Sequence, residues 1–173
     1  MLYEKFGEFD SLEEINRAAE AQKNEGDIEA VKAIAEENGL DPEDVQDYLD
    51  GYTDTLATVT SAAAGKLEKE AAELELAGIL KDWKDMLMQE CMENYTLAAA
   101  VRRKGKSLAG YMAELIAFSF ENKVQVSEKI TDMTKVNHNG KKGKIRTPLY
   151  IGIPGRAQAK KKAYEYYLGG GEK

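Results

Sequence analysis

The sequence predicts a mainly α, multi-helix globule with one short extended segment near its C-terminus. Three observations carry that reading. Apolar residues recur at helical spacing through most of the first 120 positions, and capping signatures stand at Ser11, Asp41 and Ser107. Only three prolines interrupt the chain. With 173 residues, 43% hydrophobic and 32% charged, it can bury a core beneath a heavily solvated surface. The expected division is an acidic three-helix module over 1–54 and a helical core over 55–173 that carries a basic loop, the extended segment and a C-terminal helix.

The first helix follows Ser11-Leu12-Glu13-Glu14, a capping box, with Leu12, Ile15, Ala18 and Ala19 as its inner stripe before Gly26. Asp27 opens a second, with Ile28, Val31 and Ile34 inward and Asn38-Gly39 as a left-handed stop. Asp41-Pro42 opens a third that ends near Gly51. From Leu56 to Cys91 the apolar stripe is unbroken, which would make a rod of about 54 Å. Such a rod exceeds the diameter of a globule this size, so a bend or break is expected at Gly65 or Gly78. The alternative is a protruding helix that pairs with a second copy in a homodimer.

A further helix is expected over Tyr95–Lys104. Ser107 then caps one carrying Leu108, Tyr111, Met112, Leu115, Ile116 and Phe120, the expected central core helix. Val124–Val126 reads as a short extended piece, and Ser127 as the cap of a brief helix ending at Met133. Residues 137–144 are turn-rich and basic and read as a mobile loop. Leu149–Ile153 reads as a strand, and Pro154-Gly155 leads into a last helix over Arg156–Leu168. A fraying glycine tail is expected from Gly169 onward.

One cysteine, Cys91, excludes an internal disulfide framework, and one histidine, His138, excludes the ordinary His/Cys zinc sites. Cys91 sits on the apolar stripe beside Glu90 and Glu93, where a buried thiol outweighs a nucleophile. His138 lies in a Gly/Asn/Lys loop without a carboxylate to orient it, so it reads as solvated. The expectation is a non-enzymatic protein without cofactor or metal. No stretch approaches the roughly 20 apolar residues of a membrane span, and the first residues do not read as a signal peptide. A cytoplasmic protein with no membrane partner is expected.

Charge is the most informative property. The net charge of −7 hides a gradient: 17 acidic and 4 basic side chains over 1–54, 8 and 4 over 55–94, and 6 and 16 over 95–173. Either the two ends neutralise one another on one globule, or the acidic end meets a basic surface and the basic end meets phosphate. The acidic run Glu36, Glu37, Asp41, Glu43, Asp44, Asp47 and Asp50 lacks the glycine-centred loop of a calcium-binding hand. It is a solvated face or a phosphate mimic offered to a partner. Three basic clusters are candidate nucleic-acid contacts: Arg102-Arg103-Lys104-Lys106, Lys141-Lys142-Lys144-Arg146 and Arg156-Lys160-Lys161-Lys162. Tyr164, Tyr166 and Tyr167 beside the last would stack on bases or pack inward.

Four stretches carry a resemblance: Tyr3–Ser11, Lys104–Gly110, Phe120–Val126, and Tyr150–Pro154 with the late Ala163–Leu168. Together they resemble small proteins of mobile elements and phages of gut Firmicutes, some of them anti-CRISPR inhibitors of the type II RNA-guided effector nuclease. The Lys-Ser-Leu-x-Gly stretch, with its apolar helix and terminal aromatic pair, is also similar to PcfK-like proteins of conjugative elements. That second similarity covers the C-terminal two-thirds and departs at the 134–148 insertion and in the position of the final helix. The resemblance implies an inhibitor that binds the effector nuclease, with or without its guide RNA, and in addition duplex DNA. The alternative it implies is an accessory DNA-binding or scaffold protein of a conjugative element. Neither family supplies a catalytic motif to carry over.

Overall fold

A computed structural model describes residues 3–169 of the chain; the glycine tail beyond Gly169 lies outside them. The fold is a mainly α multi-helix globule with a few short strands near the C-terminus. It begins with α1 (Leu12–Glu25), α2 (Ile28–Glu37) and α3 (Pro42–Asp50). Each starts where a side chain satisfies an otherwise unpaired helix amide. Ser11 accepts from the Glu14 amide, Asp27 from Ala30 and Asp41 from Glu43. Glu14 reaches back one residue further than a capping box requires and accepts from the Asp10 amide at 2.6 Å.

The apolar stripe from Leu56 to Cys91 is divided into α4 (Val59–Glu73) and α5 (Ile79–Glu93). The break falls at Leu74–Gly78, where Glu75 and Gly78 take left-handed φ of 48° and 56°. Leu74 is exposed there, and the long-rod basis for a homodimer goes with the rod. Gly65 sits unbent in the middle of α4. Next come α6 (Tyr95–Arg102) and α7 (Leu108–Glu121), capped by Asn94 and Ser107, and finally α9 (Arg156–Leu168). Between them stand β1 (Val124–Gln125), α8 (Glu128–Met133), β2 (Lys135–His138), β3 (Lys141–Lys144) and β4 (Tyr150–Ile151). β1 pairs antiparallel with β4, and β2 with β3.

Three departures from the sequence reading are informative. The expected mobile loop is a hairpin: Asn139 and Gly140 both take positive φ, 51° and 80°, as a two-residue turn of the primed type demands. α7 is only half buried. Leu108, Tyr111, Met112 and Leu115 pack inward, whereas Ile116 and Phe120 stay exposed because α4 and α9 cover only one of its sides. Ser127, moreover, makes no side-chain cap for α8.

The apolar side chains form two clusters with α4 as their shared wall. Phe9, Ile15, Val31, Ile34, Val45, Tyr48, Leu56 and Ala62 belong to one. Ala63, Leu67, Trp83, Leu87, Cys91, Leu97, Val101, Tyr111 and Tyr167 belong to the other. Neighbouring alanines of one helix thus face different cores. The α2–α3 turn lies directly against α4, since a Cβ on Gly65 would stand 2.1 Å from the Asn38 carbonyl oxygen and 2.8 Å from that of Gly39. Gly39 itself has φ +68° and would press its own Cβ into the Gly65 backbone.

Buried charge closes the same seam. Arg102, 1% exposed, donates to Asn38 Oδ1 at 2.7 Å and to the Phe9 carbonyl at 3.4 Å. Lys66, 2% exposed, donates from its ammonium nitrogen to Glu8 Oε1 and to the carbonyls of Arg103 and Lys106, each at 2.8 Å. Its helix neighbour Glu70 accepts from the Leu108 amide at 2.5 Å, at the N-terminus of α7. Burial pushes the Glu70 carboxyl above its usual range, against the pull of the Leu108 amide and Lys66. The N-terminal segment, α4, and the turn between α6 and α7 therefore meet on one buried polar cluster, in which Lys66 is fully hydrogen-bonded and the Arg102 Nε has no partner among the described residues.

Two stability experiments follow. Gly65→Ala should cost about 3 kcal/mol or more, because backbone rather than a movable side chain occupies the space. Gly143→Ala, with nothing within 4 Å of its Cβ, should change stability by less than about 0.5 kcal/mol. Urea unfolding of both variants checks this, and equal midpoints would refute the close approach. Lys66→Met should cost about 3 kcal/mol, since it leaves the buried Glu70 carboxylate, the half-buried Glu8 carboxylate and two carbonyls without their cation. A loss under about 1 kcal/mol would show that the cluster is hydrated and unimportant.

Candidate functional site

The acidic face is built by α2 and α3. Val45 and Tyr48 turn inward on α3, which places Glu43, Asp47 and Asp50 together on the opposite side, with Asp44 beside them. All four carboxylates are exposed, as are Glu36 on α2 and the cap Asp41. Among the described residues, none of these six has an ion-pair partner within 4 Å. Two of them carry local duties: Asp41 accepts from the Glu43 amide, and Asp50 accepts from Gln46 at 2.9 Å.

Glu37 behaves differently. Its carboxylate takes the backbone amides of Lys5 and Phe6, the latter at 3.1 Å, and so fastens the N-terminal segment to α2. It is structural rather than part of a free acidic surface. Between α2, α3 and α4 lies a groove of about 610 Å³ with Leu40, Val45 and Leu49 on its floor and Lys32, Glu36 and Lys69 at its rim.

The three basic clusters have three different fates. In the first, Arg102 is inside the protein on Asn38, Lys104 lies 3.5 Å from Asp10, and Lys106 sits over the Tyr166 ring at 4.8 Å. Arg103 alone of that run is exposed and unpaired among the described residues. In the last cluster, Arg156 donates to Gln89, and Lys160 meets the buried Glu90 carboxylate at 2.7 Å. Lys161 and Lys162 pair with Glu165 at 3.7 and 3.3 Å. These side chains are answered within the fold, by Glu90 of α5, Glu165 of α9 itself and the neutral Gln89, and not by the acidic residues of 1–54.

The tyrosines beside that cluster pack inward instead of waiting for bases. Tyr167 is buried against Tyr111 and Tyr166, Tyr166 accepts from the Ser107 amide at 3.2 Å, and Tyr164 accepts from Asn94 at 3.1 Å. Burial raises the Tyr167 hydroxyl strongly, as expected for a phenol locked in a core.

Among the described residues the middle cluster is the most open, its one ion pair being that of Lys144 with the exposed Asp132 at 3.7 Å. Lys141, Lys142, Lys144 and Arg146 are exposed on β3 and the residues after it, and the structure adds Lys135 of β2, which pairs across the ribbon with Lys144. Sequence reasoning omitted Lys135 because it left the segment as a loop. The Asn139-Gly140 dipeptide is the signal that would have supplied the pairing.

Cys91 is buried, and burial pushes its thiol up to about 12, with the neighbouring Glu90 charge adding to the shift. His138 is exposed beside the hairpin turn, directly opposite Lys141. Among the described residues, no group of three His, Cys, Asp or Glu side chains converges on a metal position, and no helix is long and apolar enough to cross a membrane. Comparison with protein-family models, curated proteins and solved structures found no match to this chain.

Proposed function

We propose that this protein is a non-catalytic inhibitor of the type II RNA-guided effector nuclease, docking through the acidic face of α3. The carrying observation is the stripe Glu43, Asp47 and Asp50, exposed and without an ion-pair partner among the described residues. Four residues of helix advance about 6 Å along the axis, so these carboxylates form a line of negative charge along one side of α3. Carboxylates at that repeat suit a channel lined with lysine and arginine for a nucleic-acid backbone, which is what such an effector offers. The resemblance carried by Tyr3–Ser11 and the three later stretches supports the same reading.

The test is a DNA-cleavage assay with guide-loaded nuclease. Wild-type protein should inhibit, and Glu43→Lys, Asp47→Lys and Asp50→Lys together should weaken inhibition at least about tenfold, or ~1.4 kcal/mol. Asp41 is left intact, because losing its cap would cost about 1 kcal/mol of helix stability. The difference should shrink at high salt, where the Debye length falls to about 3 Å. A Cys91→Ser, His138→Ala double variant should inhibit like wild type. Full inhibition by the natively helical triple variant would refute the acidic face, and no inhibition by wild type would favour the accessory protein of a conjugative element.

A further inference from the structure

We infer that the β2–β3 hairpin is a duplex-DNA-binding ribbon that enters the major groove and holds the phosphate backbone through Lys135, Lys142 and Lys144. This inference is independent of the nuclease-inhibitor reading. The register places Lys135 opposite Lys144 and Asn137 opposite Lys142, so these four share one face of the ribbon. All four are exposed, whereas Val136 and Gly143, on the other face, are partly covered. The outward face of a four-residue ribbon therefore consists of three lysines and one asparagine.

That arrangement is unfavourable for folding alone. Lysines directly opposite on neighbouring strands repel one another, and the strand carries no apolar side chain facing out to offset it. Within 4 Å the only carboxylate on this face among the described residues is Asp132, 3.7 Å from Lys144 and itself exposed. Lys141 and Arg146 extend the positive field, again without an ion pair among the described residues. The acidic helices thus leave this end of the gradient unneutralised, although they have charge to spare. A polyanion is the ligand that such a face would take.

Shape narrows the choice to B-form duplex. Its major groove, about 12 Å wide, admits a two-stranded ribbon, whereas the deep, narrow major groove of A-form RNA does not. Gly143 fits this use. Its φ is not in the left-handed region and nothing lies within 4 Å of its missing Cβ, so no packing or turn requirement accounts for it. A strand glycine of that kind leaves the ribbon thin.

Fluorescence anisotropy with a labelled duplex of about 20 base pairs tests the inference. Binding to DNA should fall about 40-fold between about 0.05 and 0.2 M salt, as three phosphate contacts require. Replacing Lys135, Lys142 and Lys144 together by alanine should flatten the log–log slope by about 2 to 3, and Lys142→Ala alone by about 0.9. Lys→Arg at the three positions should keep the slope, as should Lys81→Ala with Lys161→Ala, which lie outside the ribbon. An RNA duplex of the same sequence should bind more weakly. The inference is overturned by no binding at low salt, by an unchanged slope in a natively folded triple or single variant, or by equal affinity for the RNA duplex.

Discussion

The contact on which the rest of this structure depends is the approach of two backbones, Asn38-Gly39 at the end of α2 and Gly65 in the middle of α4. No side chain fits between them. Because the backbones meet, Arg102 can reach Asn38 from α6, and Lys66, one residue from Gly65, can reach Glu8 and the α6–α7 turn. An apolar interface alone would hold the helices with some freedom to slide. Buried donors with fixed acceptors leave one arrangement, since any slip would strand charge in a low dielectric. The small residues of α4 are what permit two cores to share so narrow a wall.

This seam also sorts the charges. Glu8, Glu37, Glu70, Lys66 and Arg102 are consumed in holding the N-terminal segment, α2, α4 and α6 together. The α9 cations are consumed on Glu90 and Glu165. Left over are the outward carboxylates of α3 and the lysines of the β2–β3 ribbon, which have no ion pair between them among the described residues. The charge left free to meet a partner is what remains after these internal pairings are subtracted, and it differs from the raw sequence gradient mainly at Arg102, Glu37 and the α9 cluster.

Local signals made most of the fold legible beforehand. Ser11, Asp27, Asp41 and Ser107 each act within three residues, so their sequence context is their structural context. Gly65 was ambiguous for the opposite reason: a helical glycine looks like a break until its long-range neighbour is known. Arg102 was misread as surface because it sits in a basic run, yet it lies four residues after Ala98 and on the buried stripe of α6, a placement that periodicity does contain. The hairpin was missed because a strand of lysines and asparagines shows no apolar alternation, and only its Asn-Gly turn announced it. Ile116 and Phe120 could not have been placed outside from sequence, since their exposure is decided by what fails to cover them.

Native-state hydrogen exchange measures the central claim directly, that the seam makes the acidic helices and the helical core one cooperative unit. The slowest amides of α2, around Ile34 and Ala35, and those of α4 and α6, around Leu67 and Val101, should exchange with one common opening free energy and one common denaturant dependence. Exchange of α1–α3 through a separate opening of lower free energy, with α4–α6 still protected, would contradict it.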